Sequence, residues 1–144
     1  MGSPSLELQG AIVAALKADF AVMALISDVY DRVERDTDTG KPISSVWGSE
    51  LGYISFGPED TIADDGGCVE LQDISIQLDV WSRRPGRVHC KEILHEVRRV
   101  IRSLATTENP IVARADPFEQ IRQDPDGLTM HGILRYEFGV ENHG

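Results

Sequence analysis

Between residues 74 and 81 the chain alternates strictly: Ile74, Ile76, Leu78 and Val80 are separated by Ser75, Gln77, Asp79 and Trp81. Successive side chains of a strand point to opposite faces, so this segment must be a half-buried strand with one solvated or partner-covered face. Arg83 to Arg87, with Pro85-Gly86, then forms a tight connection into a long helix from about Val88 to Leu104. The apolar stripe of that helix is Cys90, Ile93, Leu94, Val97, Val100, Ile101 and Leu104, spaced like a heptad seam. A one-sided strand followed at once by a one-sided helix constrains the fold strongly.

The flanking segments extend this unit. Ser3 caps an opening helix with Pro4 at its first position, and Leu8, Ala11, Ile12, Ala15 and Leu16 give it an apolar face. Asp19 caps a second short turn through Phe20, Met23 and Leu25, and Val29 to Val33 reads as a brief strand. Residues 34–42 contain no apolar side chain and read as an exposed loop. Ile43 to Trp47 and Tyr53 to Phe56 read as two β-type runs, and Gly57 to Gly67 as an acidic loop. Ile111 to Gln123 and Leu128 to Val140 read as strands joined by Asp124-Pro125-Asp126-Gly127, where Pro presets φ and Gly accepts a positive φ. The predicted fold is α+β: one domain over residues 1–144, a mostly antiparallel sheet of four to six strands, and both main helices on one face.

Charge is distributed unevenly. Fourteen bases against 24 acids leave a net charge of −10. That balance argues against general nucleic-acid or membrane-surface binding. From Pro42 to Ser82 there are eight acids, including Glu59, Asp60, Asp64 and Asp65, and no base. From Arg83 to Arg102 there are seven bases against two acids. Arg87, Lys91, His95, Arg98 and Arg102 share one side of the long helix, a basic ridge beside the apolar stripe. A solvated face is the plain reading of that ridge, and a nucleic-acid surface is a second, disfavoured by the excess of acid elsewhere. Self-association is the sharper one, with Arg84, Arg87, Lys91, Arg98 and Arg102 of one copy meeting Glu59, Asp60, Asp64 and Asp65 of the next. A head-to-tail contact of two unlike patches closes a ring when the rotation allows it.

Reactive chemistry is poorly supported. His89 and His95 are six residues apart, which does not stack them on one helix face, and His131 and His143 carry no Cys or carboxylate at metal-ligand spacing. No metal or cofactor is expected. Cys90 belongs to the apolar helix stripe, and Cys68 has no neighbour that would activate it. The carboxylate pairs lie in polar loops, and neither a nucleophile elbow nor a phosphate-cradling glycine loop occurs. An enzyme is not expected. The longest apolar run near the N-terminus, Phe20 to Ile26, is far short of a membrane span, and a soluble protein made in the cytoplasm is expected.

Several segments in order resemble the phage tail-completion family, also called tail terminators or head–tail joining proteins, which occurs in phages, prophages and gene transfer agents. They are Ser5-Leu6-Glu7-Leu8-Gln9 to Leu16, Val29-Tyr30-Asp31-Arg32-Val33, Gly52-Tyr53-Ile54-Ser55-Phe56-Gly57, and Leu78-Asp79-Val80-Trp81-Ser82-Arg83 leading through Gly86-Arg87. The most specific is Arg122-Gln123-Asp124-Pro125-Asp126-Gly127-Leu128-Thr129-Met130-His131-Gly132. An insertion around Ile43 to Glu50 departs from the pattern and is expected to form an extended loop or hairpin. The resemblance implies a structural virion protein at the head–tail junction. It implies a ring, commonly a hexamer, that caps the tail tube, ends tube polymerisation and offers a docking surface to the head connector. DNA would pass through its lumen without specific binding. The alternative reading is a small cytoplasmic α+β domain that binds a ligand or catalyses a reaction with its loop carboxylates.

Overall fold

The computed structural model describes residues 2–64 and 70–144. Helix α1 spans Pro4–Ala18, with the Ser3 hydroxyl accepting the Leu6 N–H at 3.1 Å and Leu8, Ile12 and Leu16 buried. The short α2, Phe20–Met23, is capped by Asp19, whose carboxylate accepts the Val22 N–H at 3.0 Å. Strand β1, Val29–Tyr30, follows. The rest is α3 (Ser44–Trp47), β2 (Gly52–Ala63), β3 (Leu71–Ser82), α4 (Val88–Arg102), β4 (Ile111–Arg114), β5 (Phe118–Gln123) and β6 (Met130–Glu141). The fold is α+β, as expected.

The sheet runs β1-β2-β3-β6-β4, with β5 also pairing β6. Every pairing is antiparallel except β1 with β2. At its centre, β3 and β6 pair without a register break from Leu71↔Glu141 to Ser82↔Met130. This register puts Leu78 opposite Leu134, Ile76 opposite Tyr136 and Ile74 opposite Phe138, all buried. The α1 face and the α4 stripe of Cys90, Ile93, Leu94, Val97 and Ile101 close over these residues in one hydrophobic core. A Cβ added at Gly132 would come within 2.9 Å of Cys90 Sγ and 3.0 Å of Leu94 Cδ1, so helix and sheet touch through a position that only glycine fits.

Four sequence expectations need correction. Ile43–Trp47 is not a β-type run, and the insertion around it is neither an extended loop nor a hairpin. Ser44–Trp47 makes one helical turn whose Val46 and Trp47 pack with Tyr53 in a second, smaller core. The acidic stretch from Gly57 is strand rather than loop as far as Ala63. Pro58 falls inside the register shift between Phe56 and Glu59, where no ladder hydrogen bond is lost. The Val29 strand stops at Tyr30. The strand expected over Ile111–Gln123 is two, β4 and β5, interrupted around Pro117.

Arg114 closes the end of α4. Its guanidinium donates to the carbonyls of Ile101 at 2.8 Å, Arg102 at 3.2 Å and Leu104. These are the carbonyls that a helix C-terminus leaves unpaired, at the negative end of its dipole. The Asp124–Gly127 turn forms as predicted, with Gly127 at φ +73° and its N–H on the Asp124 carbonyl at 3.0 Å.

Candidate functional site

The β2–β3 hairpin has two unlike halves. Its inner half is clamped between the small core and the main core. Beyond the bulge it becomes an arm whose β2 side is exposed from Pro58 onward. Strand β1 covers β2 only at Ile54 and Ser55, so the outer edge of the arm has no partner strand among the described residues. Glu59, Asp60 and Asp64 are exposed along this arm. Asp65, expected to join them, and Cys68 lie outside the described residues. Partial burial and the neighbouring Asp31 charge raise the pKa of Glu59 above its ordinary value. Pairing of Ile62 with Asp73 and of Asp60 with Ser75 puts Asp60, Ile62 and Asp73 on one face of the arm. Ile62 is 67% exposed there, an apolar side chain between two carboxylates.

The predicted basic residues do not all act alike. Arg87 is the N-cap residue of α4, exposed and without a side-chain cap bond, and Arg102 is exposed at the other end. Lys91 borders a shallow groove against Ala21, Ala24 and Leu25, with Glu92 and Glu96 close by. Arg98 is held by Glu119 of β5 at 3.2 Å. Arg84 lies off the ridge, donating through Nε to the Glu50 carbonyl at 2.9 Å. The ridge is therefore interrupted by acids of its own chain. Arg99, which sequence reasoning did not single out, joins α4 to α2 by pairing with Asp19 at 2.6 Å and Glu96 at 2.8 Å.

A third surface lies where β2 begins and β3 ends. Tyr53 and Trp81 face each other across the two strands, their rings stacked with centroids 6.2 Å apart, and Trp47 meets Tyr53 edge-on at 4.8 Å. Arg83 lays its guanidinium over the Trp47 ring, 4.3 Å from the centroid. These residues, with Arg35, Lys41, Asp124 and Asp126, line a cavity of about 250 Å³. The Asp126 carboxylate is already used by the Leu128 and Thr129 N–H groups and the Thr129 hydroxyl. Buried Trp47 Nε1 and Arg83 Nε have no hydrogen-bond partner.

On the sheet face away from the helices, His131 Nε2 and an Asp79 oxygen are 2.8 Å apart, and the imidazole stacks on Trp81 with centroids 3.8 Å apart. Gln77 donates to the same Asp79 oxygen at 2.9 Å, and Trp81 Nε1 donates to Ser55 Oγ at 3.0 Å. Sequence spacing gave His131 no carboxylate, because its partner is 52 residues away and only the β3–β6 register unites them. His143 likewise has one, Glu141, at 2.8 Å. His89 is structural. Its Nε2 donates to the Leu25 carbonyl at 2.8 Å, which leaves Nδ1 to accept the Ser82 hydroxyl at 2.7 Å. Burial pushes its pKa below the usual histidine value. Cys90 is buried, and burial pushes its thiol up to about 11, far from a reactive thiolate.

Among the described residues, no group of three or more His, Cys, Asp or Glu side chains could hold a metal ion. No helix among them is long and apolar enough to cross a membrane. What the geometry offers is contact surface: an exposed charged arm, a broken basic ridge and an aromatic cavity rimmed by three bases and two acids. The chain belongs to the family described as Tail completion protein gp17, which it matches over residues 10–141. Its fold is also similar to a chain in the structure titled "Virion of native gene transfer agent (GTA) particle". The identity is 21%, the TM-score 0.77, and the match covers 95% of this chain and 96% of that one. Among curated proteins, none matches.

Proposed function

We propose that the protein is a structural component of a virion-type particle, at the junction of head and tail. Identical copies form a ring, a hexamer by the family's habit, that caps the tail tube, ends its polymerisation and receives the head connector. Family membership over residues 10–141 is the observation that carries this reading. Likeness of fold to a chain in a gene transfer agent particle supports it. The physics suits a ring. A tube end exposes several equivalent unpaired edges, and a closed ring engages all of them together, so modest individual contacts give strong capping.

The acidic arm (Glu59, Asp60, Asp64) and the α4 surface (Arg87, Lys91, Arg98, Arg102), with neighbouring Arg84, are the surfaces that meet other copies or the tube and connector. The acid excess keeps DNA from adhering as it crosses the lumen. A ligand-binding or catalytic role would need loop carboxylates converging on one pocket. Glu59, Asp60 and Asp64 instead lie exposed along the arm, and Asp126 and Asp36 are held by backbone N–H groups of their own turns.

The test is Arg98→Glu with Arg102→Glu, followed by size measurement of the assembly and length measurement of tails. Folding should persist, because surface pairs such as Arg98–Glu119 contribute about 0–1 kcal/mol. Assembly should fail and tails should lose their uniform length. Uniform tails from the variant would refute an α4 interface. A lumen lined mainly by the α4 bases would refute the DNA-repelling role.

A further inference from the structure

The arm and the aromatic cavity are complementary, and they stand at opposite ends of one hairpin. We propose that the Asp60–Ile62–Asp73 face of the arm of one copy seats in the Trp47–Tyr53–Trp81 cavity of the next, its carboxylates meeting Arg83 and Lys41. The inference rests on the ring reading above and names one contact that, beside the α4 surface, holds it together.

Three observations carry it. The first is composition. The arm presents one apolar side chain flanked by two carboxylates on a single face. The cavity presents an aromatic floor and three cationic side chains, Arg35, Lys41 and Arg83. Its wall also carries two carboxylates, Asp124 and Asp126, the latter held by its own turn, so the bases exceed the acids by one. The second is that the key charges on both sides lack ion-pair partners among the described residues. Neither Arg83 nor Lys41, and neither Asp60 nor Asp73, forms an ion pair among the described residues. Buried Trp47 Nε1 and Arg83 Nε also lack acceptors, and Trp47 is only 4% exposed. The third is geometry. Tyr53 and Ile62 lie on the same strand, and nine residues at about 3.3 Å each separate them by roughly 30 Å. An arm stiffened by its β3 ladder cannot fold back over that distance, so its acids can reach such a cavity only on another molecule. The two patches differ, so the contact is head-to-tail, the type that closes rings.

The lysines make the test selective, because the sequence has three: Lys17, Lys41 and Lys91. A water-soluble carbodiimide joins an amine directly to a carboxylate with no spacer. We would treat an equal mixture of light and isotopically heavy protein, concentrated enough to assemble, and map mixed-isotope cross-links by mass spectrometry. Lys41 joined to Asp60 or Asp73 of another copy is the expected result. Intermolecular links through Lys91 alone would overturn this inference and leave the ring intact, with α4 as its interface. An assembled protein with no intermolecular link at Lys41 would also overturn it. A protein that stays monomeric, with or without tail tubes, would overturn the ring reading itself. As a second measurement, Arg83→Glu should raise the concentration needed for assembly about tenfold or more. Adding Asp60→Arg should restore most of that loss. Equal assembly by Arg83→Glu and wild type would count against the proposal.

Discussion

The same two strands, β2 and β3, do different work in their two halves. Near Ile54 and Val80 both strands are buried, flanked by β1 and β6 and covered by helix. Past the bulge at Pro58, the β2 side turns to solvent and carries Glu59, Asp60 and Asp64. The inner half is held by packing, and the outer half is the surface proposed above to meet another copy. Mutations should therefore separate into those that unfold the protein and those that leave it folded but unable to assemble.

The largest effect should come from the inner region. Leu134→Ala empties a fully buried site opposite Leu78 and should cost about 2–5 kcal/mol, read as a large fall in the midpoint of denaturant unfolding. Next comes Gly52→Ala. Its new Cβ would fall 2.6 Å from His89 Cε1 and 3.2 Å from the Trp81 carbonyl, so the ring must move and its two hydrogen bonds loosen. A loss of about 1–3 kcal/mol is expected. Arg114→Ala uncovers the C-terminal carbonyls of α4 and should cost about 1–2 kcal/mol, with hydrogen exchange rising first in the last turn of that helix. The pH effect is smaller. His89 is held neutral in the folded protein while the unfolded chain takes up a proton near pH 6.5. Stability should therefore be complete above that pH and decline as pH falls toward the folded value. His89→Gln should flatten the decline, and an unchanged slope would assign it to other groups. The smallest effect belongs to the arm. Ile62→Ser should change stability by no more than about 0.5 kcal/mol, yet weaken assembly. A large loss of stability there would erase the contrast between the halves.

The core-facing side of the hairpin was largely legible in the sequence, and the exposed β2 side of the arm was not. Alternation at Ile74–Val80 and the stripe from Cys90 to Ile101 reflect burial on one side, which leaves a periodic trace. The Asp-Pro-Asp-Gly turn was legible because its chemistry is local. Arm strand Gly57–Ala63 left no such trace. Exposed on its β2 side, it has no apolar period, and its Gly, Pro and acids imitate a loop. Ile43–Trp47 misled in the opposite way. Its β-branched and aromatic residues suit a strand, but their burial comes from Tyr53 in a satellite core that local propensity does not register. The cavity under Arg83 gathers residues from four separate stretches of chain, so no spacing rule could have assembled it.

The position of β6 has a consequence for timing. It follows every other strand in chain order, yet it sits between β3 on one side and β4 and β5 on the other. Until it docks, the edge of β3 and both later strands have nothing to bind, and closing the centre requires contacts between residues some sixty positions apart. Such long loops make closure slow and leave bare strand edges open to sticking meanwhile. During synthesis the sheet is thus completed from the middle, at the end. A ribosome that stalls before Met130 releases a chain with a helix-backed hairpin and an open seam, a natural substrate for chaperones and proteases.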